Sequence, residues 1–142
     1  MRYNESDEIF GQSQLTRIIH MKKLFYYTDL LPFLSKPDKA IEKLKKNLGI
    51  FREASENIEI IWHPYSRTEE FMEINRCSAM KEYKSLLDEF KAAGWGKVDE
   101  TSTLAEAKEV LFGCDAYYGD VCDLVYEAKD KGIPVMIQDI EI

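Results

Sequence analysis

From Lys23 onward the chain alternates between two hydrophobic periods. Lys23-Leu24-Phe25-Tyr26-Tyr27-Thr28 and Ile58-Glu59-Ile60-Ile61-Trp62 are short apolar runs bounded by polar residues, the pattern of strands buried on both faces. Between them, Asp38 is placed to cap a helix whose Ile41, Leu44, Leu48 and Phe51 recur every three or four residues, and the pattern fades near Asn57. The stretch holding Pro32 and Pro37 reads as a loop, as does His63-Pro64-Tyr65-Ser66-Arg67, where proline ends a ladder. After a short acidic segment, Met80, Tyr83, Leu87 and Phe90 mark one face of a helix from about Ser78 to Ala93, stopped by Gly94. Gly96 to Asp99 reads as a short third strand, and Thr103 as the cap of a Leu104–Phe112 helix packed through Leu104, Ala107 and Leu111. Ala116-Tyr117-Tyr118 is the fourth strand, Val121 to Lys131 a helix, and Ile133 to Gln138 the fifth strand.

Strands that alternate with helices and are apolar on both sides imply a parallel sheet covered twice. The expected fold class is therefore α/β: a single Rossmann-like three-layer domain over residues 21–142, with a five-stranded, mostly parallel, doubly wound sheet. Right-handed crossovers favour the order 3-2-1-4-5. Residues 1–20 are polar and then end in Leu15-Thr16-Arg17-Ile18-Ile19-His20, and no period links them to the strand and helix pattern of the remaining chain. They read as an N-terminal arm or linker.

Composition narrows the partners. With 142 residues, 45% of them apolar, the chain has enough for one ordinary core. A formal charge of −7 argues against nucleic acid, whose backbone needs a basic stripe. No apolar run approaches the roughly 20 residues of a membrane span. The acidic start, Met1-Arg2-Tyr3-Asn4-Glu5, does not read as a secretory signal, so a cytoplasmic location is expected. Cys77, Cys114 and Cys122 form no Cys-x-x-Cys pair, and His20 and His63 are far apart, so neither a disulfide framework nor a metal site is expected, nor a cofactor.

Ligands of such sheets bind beyond the carboxyl ends of the strands. There the sequence places Thr28-Asp29, His63-Pro64-Tyr65, Asp99-Glu100-Thr101 and Gly119-Asp120. Gly119 would allow a ligand close to the backbone, and Asp120 would either meet a ribose hydroxyl or cap the following helix. Val121, Cys122 and Asp123 then open that helix, where backbone N–H groups attract anions; Asp123 competes for the same groups. His63 has the chemistry of a general acid or base or of a phosphate donor, and Arg67 that of a second positive contact. Asp99 and Thr101 suit ribose hydroxyls or a cation, or simply the cap of the next helix.

Gly94-Trp95-Gly96, Asp99-Glu100-Thr101, Asp115-Ala116-Tyr117-Tyr118-Gly119-Asp120 and Gly132-Ile133-Pro134-Val135-Met136-Ile137-Gln138 occur in an order that resembles the C-terminal, donor-binding half of bacterial CDP-glycerol glycerophosphotransferase-like proteins, which are similar to GT-B glycosyltransferases. The resemblance covers about Lys22 to Ile142. It implies a nucleotide-linked donor such as CDP-glycerol or a nucleotide sugar, in a setting of cell-envelope polysaccharide. Family members carry a histidine-proline motif after the second strand and an aspartate followed by a serine pair after the fourth, all near the donor pyrophosphate. Asp120 matches that aspartate, while Cys122 and Asp123 stand where the serines are expected. His63-Pro64 matches the first motif directly, whereas aligning on Trp62 puts Tyr65 at the histidine.

A GT-B enzyme also has a second Rossmann-like domain, which residues 1–20 cannot supply, so the resemblance implies an incomplete or degenerate catalyst with no catalytic residue assigned. Two other readings stand beside it. One is a non-enzymatic interaction module that pairs with itself or with a separate transferase subunit. The other is a nucleoside deoxyribosyltransferase-like enzyme, for which Glu127 is the available carboxylate.

Overall fold

The computed structural model describes residues 22–138, so the 1–20 arm lies outside the described residues. The elements are β1 (Lys22–Thr28), α1 (Leu31–Ser35), α2 (Pro37–Glu53), β2 (Ile58–Pro64), α3 (Thr68–Ile74), α4 (Met80–Ala93), β3 (Gly96–Val98), α5 (Leu104–Phe112), β4 (Ala116–Gly119), α6 (Leu124–Lys131) and β5 (Val135–Ile137). The five strands form one sheet in the order β3-β2-β1-β4-β5, and every pairing is parallel. The expected α/β, doubly wound, Rossmann-like architecture with order 3-2-1-4-5 is what the chain adopts.

Side chains alternate across the sheet, so each strand feeds two cores. Tyr26, Ile60 and Trp62 pack with Leu44, Tyr83, Leu87 and Phe90 of α2 and α4. Phe25, Tyr27, Ile61 and Tyr117 pack on the other face with Ala107, Leu111, Leu124 and Ala128 of α5 and α6. Trp62 is fully buried and meets Phe90 edge-on at 5.4 Å between ring centroids. Each such large side chain contributes roughly 1.5–3 kcal/mol by leaving water.

Several boundaries differ from the sequence reading. The proline-rich stretch is not a plain loop, because Pro32 sits in the first turn of the short helix α1, where its missing N–H costs nothing. Pro37 likewise opens α2, so Asp38 lies inside the first turn and makes no side-chain cap. The acidic segment after Arg67 forms α3, and α4 starts at Met80 rather than Ser78.

His63 and Pro64 belong to β2 rather than to the loop after it. Trp62 accepts from Asp99 of the β3 side, and Tyr65 donates to Thr28 of β1 at 2.9 Å, so alternation turns Pro64's ring toward β3 just past the end of that strand. No ladder bond is lost there. Thr103 does cap α5, its Oγ1 accepting from the Glu106 N–H at 3.2 Å. Leu104 is exposed and not part of the packed stripe, leaving Ala107 and Leu111 to anchor that helix. Among the described residues no helix is long and apolar enough to cross a membrane.

Candidate functional site

The parallel register brings the ends of β1, β2, β3 and β4 to one edge. His63 pairs with Tyr27 in register, and Tyr27 pairs with Gly119 on its other side. Three constellations result: a histidine–carboxylate pair between β2 and β3, a polar network between β4, β5 and α2, and the turn before α6.

His63 lies on the face covered by α5 and α6, stacked near Phe25 and Tyr27 at centroid distances of 5.5 and 5.9 Å. Its Nδ1 is 2.9 Å from Asp99 Oδ2, and the Thr101 hydroxyl donates to the same oxygen at 3.0 Å. With Asp99 ionised, that contact fixes the proton on Nδ1 and leaves Nε2 as the basic nitrogen, the arrangement of an oriented general base. His63 is only 7% exposed, so it is also a packed part of the core. Asp99 and Thr101, expected to face a ribose or a cation, are turned onto His63 and onto each other. Glu100 points the other way, accepting from Lys91 at 2.8 Å.

Asp120 does not cap α6. Its Oδ2 accepts from the Asp29 N–H at 2.7 Å and its Oδ1 from Gln138 Nε2 at 2.8 Å, which ties the ends of β1, β4 and β5 together. Gln138 in turn accepts from Asn47 Nδ2 at 2.8 Å, Asn47 Nδ2 also reaches the Tyr26 hydroxyl at 3.2 Å, and the Tyr118 hydroxyl donates to Asn47 Oδ1 at 3.4 Å. Neither Asn47 nor Gln138 is among the sequence candidates. Asn47 does carry a signal, because it falls on the buried stripe of α2 beside Leu44, Leu48 and Phe51, and an amide there needs polar partners.

Burial raises the Asp120 carboxyl above the usual aspartate range, and the Asp29 N–H and Gln138 amide only partly oppose it. The fold therefore holds a proton that the unfolded chain has released. The resulting stability is fully present below the ordinary aspartate value of about 3.9 and is lost as pH rises through the folded value. Asp120→Asn is expected to remove that component. Stability against pH, measured by guanidinium unfolding, should fall less steeply for the variant than for the parent above the ordinary aspartate value. Asparagine can keep the Asp29 contact, since the Gln138 and Asn47 amides can both turn and the tyrosine hydroxyls can donate or accept. Identical slopes would show that Asp120 titrates normally.

The expected phosphate cradle is partly filled from within. The helix begins at Leu124 rather than Val121, and Asp123 stands at its N-cap without a side-chain cap bond. The Val125 N–H bonds the Cys122 carbonyl at 3.0 Å, and the Tyr126 N–H the Asp123 carbonyl at 3.2 Å. Burial raises the Cys122 thiol above its ordinary range, so it is not an activated nucleophile. Among the described residues, the N–H groups of Val121, Cys122 and Asp123 themselves have no protein acceptor. Gly119 serves the sheet, since a Cβ there would stand 2.1 Å from the Tyr27 carbonyl oxygen.

Arg67 is not brought to this edge as a free cation. It forms a two-pronged pair with Glu70 at 2.8 and 3.0 Å and lies over the Phe71 ring at 4.4 Å. Tyr65 is better placed. With Pro64, Ser66, Thr68, Glu69, Tyr83, Leu87 and Glu100 it lines a pocket of about 180 Å³ beside the end of β2. A second pocket, about 190 Å³, opens between α2 and α4 near Lys45, Arg52 and Trp95. Glu127 faces Lys108 of α5 at 3.8 Å. Among the described residues, no group of three or more His, Cys, Asp or Glu side chains is arranged to hold a metal ion. Comparison of the chain with protein-family models, with curated proteins and with solved structures finds no match.

Proposed function

We propose that the chain is a nucleotide-donor-binding domain of the glycosyltransferase or CDP-glycerol glycerophosphotransferase-like kind, which holds a nucleotide-linked donor over the carboxyl edge of its sheet. The observation that carries this reading is convergence. His63-Pro64, Asp99-Glu100-Thr101 and Gly119-Asp120 are remote in sequence, yet they meet at the edge where open α/β sheets bind ligands. The open N–H groups of Val121, Cys122 and Asp123 are the donors available to a pyrophosphate. The pocket beside Tyr65, with Ser66, Glu69 and Glu100 as acceptors, suits a hydroxyl-bearing part of the donor and repels phosphate.

A non-enzymatic interaction module is the second reading. It is favoured by the backbone bonds from the first turn of α6 to the Cys122 and Asp123 carbonyls and by Arg67 being paired with Glu70. Titration of the full chain with CDP-glycerol, UDP-glucose and CDP, followed by amide chemical shifts, separates the two. The donor reading expects saturable shifts at Val121, Cys122 and Asp123, with weaker ones at Tyr65 and Thr101. The Cys122→Ser, Asp123→Ser double variant is expected to bind about fivefold tighter, since removing one carboxylate from a helix N-terminus favours an anion by roughly 1 kcal/mol. Unmoved amides with all three probes would leave the interaction module standing.

A further inference from the structure

The cavity of about 190 Å³ between α2 and α4 lies at the amino end of the sheet, away from the carboxyl edge, because Trp95 directly precedes β3 and Arg52 and Ala93 stand in the last turns of the two helices. It is smaller than the roughly 300–1,000 Å³ of pockets for drug-sized ligands, so it suits a smaller molecule. Leu48, Leu86, Phe90 and Trp95 supply an apolar wall, with Trp95 half-buried and edge-on to Phe90 at 4.9 Å between ring centroids.

One charge of each sign is left over on the rim. Lys45 is held by Glu82, and Lys91 of α4 by Glu100. Among the described residues, the Arg52 guanidinium and the Glu89 carboxylate have no ion-pair partner, and they stand on opposite walls, one on α2 and the other on α4. Gly49 also lines the cavity. It lies inside α2, where glycine weakens a helix, yet its backbone is ordinary helix and a Cβ there would meet nothing within 4 Å. Neither conformation nor packing requires glycine at that position, whereas a long side chain would extend into the cavity.

We propose that this cavity binds a free apolar α-amino acid, with its carboxylate on Arg52, its ammonium on Glu89 and its side chain against Leu48, Leu86 and Trp95. Charge complementarity selects this ligand. One wall offers a cation, the other an anion, and the floor is apolar, so a zwitterion with an apolar side chain answers all three, while a simple anion or cation leaves one charge unanswered. The carbonyl end of α4, at Ala93, adds a second attraction for the ammonium.

The chain has two tryptophans, which report separately. Trp95 lines the cavity, and Trp62 is buried with its indole N–H on Thr28 Oγ1 at 3.0 Å. Titration of the full chain with L-leucine and with L-phenylalanine, followed by the two indole N–H resonances, is expected to give a saturable shift of Trp95 alone. Gly49→Met is expected to abolish that shift with the parent's melting temperature or a higher one, since methionine is the better helix former. N-acetyl-leucine lacks the ammonium and leucinamide the carboxylate, so each should bind about fivefold more weakly than leucine. Arg52→Gln should weaken leucine and N-acetyl-leucine about fivefold but not leucinamide, and Glu89→Gln leucine and leucinamide but not N-acetyl-leucine. These two surface variants decide the matter if the methionine variant unfolds. A Trp95 indole unmoved by both amino acids, undiminished binding to a folded Gly49→Met variant, or leucine binding indifferent to Arg52 or to Glu89 would overturn the proposal.

Discussion

Gly119→Ala is expected to cost roughly 4 kcal/mol or more of folding stability, enough to leave a chain of this size largely unfolded. Two independent causes add. Gly119 has a φ of 141°, a conformation that costs a side-chain-bearing residue about 1–3 kcal/mol. The new Cβ would also stand 2.1 Å from the Tyr27 carbonyl oxygen and 2.9 Å from its nitrogen, contacts with backbone that no rotamer change relieves. To make room β1 would have to move away from β4, and β1 is the central strand of the sheet. Guanidinium unfolding followed by circular dichroism measures the effect, and an alanine variant within 1 kcal/mol of the parent would contradict it. Gly49 is the natural control. It lies in α2, where a Cβ meets nothing within 4 Å, so Gly49→Ala should stabilise by about 0.5–1 kcal/mol. Loss of ligand binding in a Gly119 variant would thus report on the sheet before it reported on a phosphate.

Asn47→Ala carries the second largest expected effect, a loss of about 3 kcal/mol. Truncation strands the Gln138 carbonyl, which accepts from Asn47 at 2.8 Å, and the hydroxyls of Tyr26 and Tyr118. Tyr26 is fully buried, so water cannot replace the lost partner. Asn47→Leu separates the two components, because it restores volume but not hydrogen bonding. Both variants should be destabilised, with leucine recovering at most the packing share. A leucine variant as stable as the parent would show the network to be neutral for stability. Since Gln138 links Asn47 to Asp120, the alanine variant is also expected to raise the Asp120 carboxyl further, which steepens the loss of stability with rising pH.

The segments that carry the functional reading are used twice. Asp120 and Asp99, expected to meet a ligand, both hold the edge together, one joining β1 to β5 and the other fixing the His63 ring. Among the described residues, the N–H groups of Val121 to Asp123, which have no protein acceptor there, and the pocket beside Tyr65 are what a ligand would find exposed. This division explains why single substitutions at Gly119, Asp120 or Asp99 are poor tests of binding, and why amide shifts at Val121 and Cys122 are better ones.

Elements with a long period are legible without a structure. The stripes of α2 and α4, the aromatic runs of β1 and β2, and the strand order itself come from burial on two faces and from the right-handedness of βαβ crossovers, which leave little freedom. Short elements set by proline chemistry or neighbouring backbone are not legible: α1 reads as loop, α3 only as a short acidic segment, and Pro64 as the end of β2. Whether a proline breaks a ladder depends on which strand stands opposite its missing N–H, and only the register supplies that. The candidate site divides the same way. The sequence by itself determined which segments lie at the carboxyl edge, because strand polarity and order suffice. Only the tertiary structure decided that Gly119 answers to Tyr27 and that Asp120 answers to Asp29 and Gln138, because each role depends on atoms brought within about 3 Å by strand register and helix packing rather than by sequence spacing.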